Sequence, residues 1–84
     1  MRYEYRTQGV CSRRVCFDLE NGIVSNVSFD GGCNGNLKGI SALAEGKPAT
    51  EIIETLSGIK CGFKSTSCPD QFAKALKNAM EEQK

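Results

Sequence analysis

Residues 13–30 read RRVCFDLENGIVSNVSFD, and the dipeptide Asn21-Gly22 divides this stretch into two halves. Asn-Gly is the strongest short signal for a β-hairpin, because a type I′ turn needs a positive φ at both central residues. In the first half, the apolar residues alternate with polar ones: Val15, Phe17 and Leu19. In the second half, the apolar positions are marked by Ile23, Val27 and Phe29. Period-2 alternation is typical of half-buried strands, so the stretch predicts antiparallel strands over 13–20 and 23–30.

The residues before this hairpin predict a further strand. Tyr3 and Tyr5 alternate with charged neighbours, which indicates a strand over 2–7. The connection to the hairpin contains Gly9 and Cys11. Three strands joined in chain order form an antiparallel meander.

After the hairpin, the apolar residues recur at helical spacing and predict helices over 36–45, 49–57 and 69–82. Gly46 and Gly58 are expected to end the first two. The last has the clearest apolar stripe: Phe72, Ala75, Leu76, Ala79 and Met80. Strands followed by helices predict an α+β fold with the helices packed on one face of the sheet. The expected core consists of Val15, Phe17, Leu19, Val27, Phe29, Leu37, Ile40, Ile53, Leu56, Phe72 and Leu76.

Length and composition exclude several classes of protein. With 84 residues, we expect a single domain over residues 1–84. The net charge of +1 comes without a basic stripe, which argues against a nucleic-acid partner. No apolar run approaches the ~20 residues that cross a bilayer, and the polar start does not resemble a signal peptide, so we expect no membrane association and a cytoplasmic location. The chain has no His, which removes the commonest general base, and we assign no catalytic residue.

Five cysteines are the unusual feature of this composition. A domain this small needs disulfides, a metal or oligomerisation to support its core. Four cysteines lie in predicted loops or at element ends, from which distant segments can converge: Cys11, Cys33, Cys61 and Cys68. Cys16 lies mid-strand on the face opposite Val15, so we leave it out of any site. No two cysteines form a C-x-x-C pair, so the usual zinc-ribbon and thioredoxin signals are missing.

Two of these cysteines have distinctive neighbours. Cys68 precedes Pro69, a residue preferred at the first helical position, so Cys68 or Ser67 is expected to be the N-cap of the last helix. Ser67 with Asp70 also fits a capping box, and the helix dipole would favour a thiolate at Cys68. Cys33 lies in a glycine-rich turn, whose backbone N–H groups can approach an anion. The plainer interpretation is that the cap and the glycines only start a helix and form a turn.

The chain resembles the small stand-alone TSCPD-domain proteins. Residues 66–70 spell TSCPD, and further matching motifs lie along the chain: Gly32-Cys33, Gly35-Asn36-Leu37, Gly39-Ile40, Gly58-Ile59 and Cys61-Gly62. The resemblance extends from about Tyr5 to Leu76. The same domain occurs at the C-terminal end of vitamin B12-dependent ribonucleotide reductases, as an accessory element thought to bind metal. The resemblance implies an accessory role linked to ribonucleoside-diphosphate reduction, with a reductase as partner. The chain is too short to build the catalytic barrel itself.

A fainter resemblance, over residues 10–80, is to the U-type iron–sulfur cluster scaffold proteins. These proteins also have three strands, a glycine-cysteine turn and a cysteine before the last helix. On that pattern, Cys11, Cys33 and Cys68 take the places of the scaffold cysteines. Arg13 stands where that family often has an Asp, and Cys61 is available as a fourth ligand. Four thiolates favour a closed, structural site.

The leading hypothesis is therefore a metal-binding module, in which Cys11, Cys33, Cys61 and Cys68 hold Zn²⁺. Three alternatives stay open at the level of the sequence. The same cysteines could carry an iron–sulfur cluster. Cys61 and Cys68 could cycle between dithiol and disulfide as a relay that serves a ribonucleotide reductase. The cysteines could also be buried without any metal, as is common for this residue.

Overall fold

The Asn21-Gly22 dipeptide forms the expected hairpin turn, with φ values of 52° and 79°. It joins strand β2 (Ser12–Glu20) to strand β3 (Ile23–Gly31), and strand β1 (Arg2–Arg6) pairs with the other side of β2. The computed structural model describes residues 1–7, 10, 12–31, 34–60 and 66–82. Over these residues, the sheet has three antiparallel strands in the order β1-β2-β3. The predicted meander is confirmed.

The second half of the described chain folds into three helices: α1 (Asn34–Ala44), α2 (Ala49–Leu56) and α3 (Cys68–Glu82). The predicted bounds of all strands and helices lie within two residues of the observed ones. Gly46 and Gly58 follow α1 and α2 with φ values of 76° and 84°, a left-handed conformation that glycine adopts without steric cost. The α+β arrangement is confirmed. In the described part of the chain, no helix combines the length and the apolar character needed to traverse a bilayer.

The core lies between one face of the sheet and the helices. Phe17 from β2 and Phe72 from α3 are fully buried, with their ring centroids 5.8 Å apart in an edge-on arrangement. Ile52 from α2 joins the same cluster. The opposite face of the sheet carries polar pairs, such as Arg14 with Glu4, whose charged atoms are 2.8 Å apart. The helices therefore cover one face, as the sequence predicts. Each large side chain that is fully buried there stabilises the fold by about 1.5–3 kcal/mol.

A β-bulge changes the alternation in β3. Cys16 pairs with Ser28, whereas Asp18 pairs with Ser25, so β3 has one extra residue opposite Phe17. Asn26 occupies this bulge with a φ of 52°. Because a bulge shifts the alternation by one residue, Val24 points into the core and is fully buried, whereas Ile23 is 40% exposed. The expectation that Ile23 marks the apolar face was wrong for this reason.

Other core positions follow the prediction in part. The expected residues Val15, Phe17, Leu19, Leu37, Phe72 and Leu76 are buried. A second group packs against the core while staying partly exposed: Val27, Phe29, Ile40, Ile53 and Leu56. The core also contains residues outside that expected set: Val24, Ala44, Ala49, Ile52, Ala75 and Ala79. Of these, Ala75 and Ala79 belong to the apolar stripe predicted for the last helix.

The connection between α1 and α2 lies along the start of β3. The backbone N–H of Val24 donates to the carbonyl of Lys47 (2.9 Å), and the N–H of Gly46 donates to the carbonyl of Val24 (2.8 Å). Open strand edges promote unwanted pairing with other chains. This connection therefore covers the edge of β3 at its start, at the opposite end of the strand from Gly31, which pairs with Ser12.

Candidate metal centre

The structure describes one of the four predicted metal ligands, Cys68. The other three, Cys11, Cys33 and Cys61, lie outside the described residues. Convergence of the four sulfurs therefore stays a prediction. Among the described residues, no three His, Cys, Asp or Glu side chains are grouped so that they could hold a metal ion.

Cys16 lies on the polar face of the sheet, as predicted. It is partly exposed, and its Sγ is 4.0 Å from the Glu4 carboxylate. Cys68 is only 7% exposed, on the helix side of the sheet. The two cysteines are thus on opposite faces of the sheet.

Ser67 caps the N-terminus of α3. Its hydroxyl accepts a hydrogen bond from the N–H of Asp70 (3.2 Å), and its carbonyl accepts the N–H of Gln71 (2.8 Å), the first helical hydrogen bond. A serine that binds the N–H three residues later is the preferred way to satisfy the unpaired donors of a helix start. Of the two residues expected as the cap, Ser67 and Cys68, the structure shows Ser67 in that role. Cys68 is the first helical residue and Pro69 is the second, one position later than predicted.

The carboxylate of Asp70 joins the two ends of the connection between α2 and α3. It accepts a hydrogen bond from the backbone N–H of Gly58 (2.7 Å) and another from the hydroxyl of Thr66. The side chain of Ser67 adds a further bond across the same gap, to the carbonyl of Ile59 (2.6 Å). The hydrogen bonds from Thr66 and then from Gly58 hold the pKa of Asp70 below its ordinary value. This carboxylate therefore fixes where the start of α3 lies.

Ser12 approaches Cys68 from the sheet. Its Oγ lies 3.1 Å from the Sγ of Cys68, and both residues are buried. A second bulge brings Ser12 inward: Ser12 pairs with Gly31 while Arg14 pairs with Asp30, so Arg13 is the extra residue. Without the bulge, alternation from the buried Val15 would turn Ser12 toward solvent. Bulges often redirect a side chain beside a functional site.

A cleft of about 530 Å³ opens beside Cys68. The first turn of α1 borders it with Gly35, and the start of α3 borders it with Ser67 and Cys68. Ile59 and Lys60 line it from the connection that follows α2. Two helix N-termini and one lysine therefore border the same cleft. Helix N-termini carry partial positive charge, so an anion is favoured near them.

The sequence did not single out Ser12 or Thr66 as residues of the site. Ser12 directly follows Cys11, but alternation places Arg13 on the inner face. Thr66 belongs to the TSCPD motif, yet its bond to Asp70 depends on how the connection before α3 closes. The one available signal was that Thr66 and Asp70 are four residues apart at a helix start.

Comparison with models of known protein families matches residues 1–80 to the TSCPD domain. Searches of the curated proteins and of the solved structures find no match. The matched residues include all the strands and helices described above, apart from the last two residues of α3.

Proposed function

The chain belongs to the TSCPD-domain family, and on this premise we propose that it is a small cysteine-rich metal-binding module. Cys11, Cys33, Cys61 and Cys68 are the proposed ligands, and Zn²⁺ is the proposed metal. One observation carries the proposal: described residues that are close in the chain to the other three cysteines lie around Cys68.

Each of these neighbours belongs to the described part of the chain. Ser12 follows Cys11 in the chain, and its hydroxyl contacts the sulfur of Cys68. Gly31, two residues before Cys33, pairs with Ser12 in the sheet. Lys60, the residue before Cys61, lines the same cleft as Cys68.

Consecutive Cα atoms are about 3.8 Å apart. Each of the three remaining cysteines is therefore linked, through one or two peptide units, to a residue in or next to the surroundings of Cys68. We accordingly expect the four sulfurs to reach one cleft.

The environment of Cys68 fits a thiolate ligand. The hydroxyl of Ser12 can donate to its sulfur, and the two helix N-termini with Lys60 offset negative charge. Thiolates are soft ligands, which select zinc or iron–sulfur clusters over Mg²⁺ and Ca²⁺. A closed site of four thiolates is structural. When bound, the metal would crosslink these segments of the small domain.

The proposed role in the cell is that of an accessory factor. The TSCPD resemblance favours ribonucleotide reductase, or a protein related to it, as the partner, and we propose no nucleic acid and no membrane as partners. A cytoplasmic location agrees with cysteines that stay reduced and available to a metal.

Two alternatives use the same cysteines differently. An iron–sulfur carrier would share the ligand set. A thiol relay through Cys61 and Cys68 would use the position of Cys68 at the start of α3. Burial of Cys68 argues against the relay, because a cysteine that exchanges disulfides with another protein must be accessible.

Metal content tests the proposal. In protein purified without a metal-affinity tag, elemental analysis should find about one zinc per chain, as one four-cysteine site implies. Cys68→Ser should lose this metal, while the matched control Cys16→Ser should keep it. Colour in the fresh protein, together with iron in the analysis, would identify the iron–sulfur alternative. Wild-type protein that contains no metal and takes up none from a zinc solution would refute the proposal.

A further inference from the structure

The contact between Ser12 and Cys68 joins the start of β2 to the start of α3 within the interior of the protein. Ser12 is 3% exposed and Cys68 is 7% exposed, so water has little access to either side chain. The inward direction of Ser12 depends on the bulge at Arg13. A buried hydroxyl needs a hydrogen-bond partner, because its desolvation is otherwise uncompensated. The fold thus uses an irregular strand to present a hydroxyl to this sulfur.

The direction of this hydrogen bond follows from the other hydroxyl nearby. Thr7 donates its own proton to the carbonyl of Ser12 (2.6 Å). The proton of Ser12 can then go to the sulfur of Cys68, at 3.1 Å, or to the oxygen of Thr7, at 3.4 Å. A thiolate cannot donate and is a stronger acceptor than a neutral hydroxyl. When Cys68 is a thiolate or binds a metal, Ser12 therefore donates to its sulfur.

We propose that Ser12 is a positioning residue of the cysteine site, whose hydroxyl orients the sulfur of Cys68 and lowers its electron donation to a bound metal. This inference rests on the proposed function. Partners in the outer shell of a metal site orient its ligands and tune the metal, and their loss commonly costs about 10–100-fold in affinity. Ser12 would act on the metal through Cys68 and without contact of its own.

Cobalt(II) bound in place of zinc provides the test, because its thiolate-to-metal charge-transfer bands report the electron donation of the sulfurs. Ser12→Ala removes the hydroxyl with almost no change in shape. We expect the charge-transfer band of this variant to move to lower energy, because the sulfur donates more strongly without the hydrogen bond. Its cobalt affinity should fall about 10-fold, because the sulfur is no longer held in its orientation. A role in packing alone would change the melting temperature without moving this band.

A matched pair of variants separates the hydroxyl from side-chain volume. Ser12→Thr keeps the hydroxyl and Ser12→Val replaces it with a methyl group of similar size, so Thr should restore the wild-type band while Val should not. Ser28→Ala is the control, since Ser28 is an exposed serine of β3.

The outcomes distinguish this inference from the proposed function. Wild-type bands in Ser12→Ala and Ser12→Val would overturn the role of Ser12 and leave the metal site intact. A wild-type protein without any thiolate-to-cobalt band would overturn both proposals. Should Ser12→Ala fail to fold by circular dichroism, the comparison of the Thr and Val variants decides.

Discussion

At the scale of single residues, the carboxylate of Asp70 combines burial with negative charge. The residue is 6% exposed, and its two oxygens accept hydrogen bonds from Gly58 and Thr66. Lys74, one turn later in α3, places its ammonium group 3.7 Å away. Hydrogen bonds to a charged group stabilise a fold more than neutral ones do, by about 1.5–3 kcal/mol each. Asp70 therefore links the end of α2 to the start of α3 through its charge.

Replacing Asp70 should show the contribution of that charge. Asp70→Asn keeps the shape but exchanges one acceptor oxygen for an NH₂ donor. We expect the free energy of unfolding to fall by about 2 kcal/mol at neutral pH, measured by urea denaturation. Asp30→Asn is the control, because Asp30 forms an exposed ion pair with Arg14 and should change stability by under about 0.5 kcal/mol. Equal losses in both variants would contradict this role of Asp70.

The lowered pKa of Asp70 also predicts how stability depends on pH. Because the pKa is lower in the folded state, the folded protein binds fewer protons at this group than the unfolded chain does. The stabilisation is complete above the unfolded pKa of about 4 and is lost as the pH falls toward the folded pKa. Wild-type protein should therefore lose stability below pH ~4 more steeply than Asp70→Asn does. Parallel pH profiles of the two proteins would show that this carboxylate does not contribute.

At the scale of elements, the two bulges decide which side chains of the hairpin face inward. Asn26 brings Val24 into the core, and Arg13 brings Ser12 toward Cys68. At Asn26, the left-handed φ is supported by its side-chain amide, which donates to the Asp18 carboxylate (2.8 Å). Asparagine tolerates this conformation better than most residues do.

A pair of substitutions at Asn26 separates backbone conformation from side-chain bonding. Asn26→Ala loses the bond to Asp18 and keeps a Cβ in the left-handed region without the polar side chain that makes this conformation tolerable for asparagine; relative to glycine, the conformation costs about 1–2 kcal/mol. Asn26→Gly loses the same bond but adopts a positive φ freely. We expect urea denaturation to show Gly as the more stable of the two variants. Equal stability would mean that the bulge does not depend on the left-handed residue.

The elements could be predicted from the sequence because their signals are local. The alternation of Val15, Phe17 and Leu19, the helical spacing, the Asn21-Gly22 turn and the helix cap before Pro69 each depend on a few neighbouring residues, and each is confirmed. The alternation expected for β3 fails at Ile23, where the bulge at Asn26 shifts it. The bulges could not be predicted, since the pattern of polar and apolar residues does not show that one strand has an extra residue. The contact of Ser12 with Cys68 was missed for the same reason, because it joins residues 56 positions apart through a bulge. The four-cysteine site itself stays a prediction.

At the scale of the whole molecule, the size of the core limits how stable the fold can be. A chain of 84 residues buries only about 60–65% of the surface that its unfolded form exposes. Apparent binding free energies of structural zinc reach about 10–16 kcal/mol, which can exceed the whole stability of a small domain. A metal that joins the ends of several segments would therefore dominate the folding of this protein. This expectation can be tested by thermal melting.

Cys33→Ser and Cys68→Ser should melt at a much lower temperature than wild type and should release metal, while Cys16→Ser should do neither. Removing the metal with a chelator should lower the melting temperature of wild type in the same way. Because Cys68 is buried, its substitution also weakens packing. Comparing wild type with Cys68→Ser after chelator treatment measures this packing effect alone, since neither protein then holds a metal. If the metal provides most of the stability, most of the difference between wild type and Cys68→Ser should vanish when both are metal-free.

A relay predicts instead that metal-free protein stays folded and forms a Cys61–Cys68 disulfide under mild oxidant. A melting temperature that is unchanged by chelator and by all three substitutions would contradict the hypothesis that a bound metal stabilises the fold.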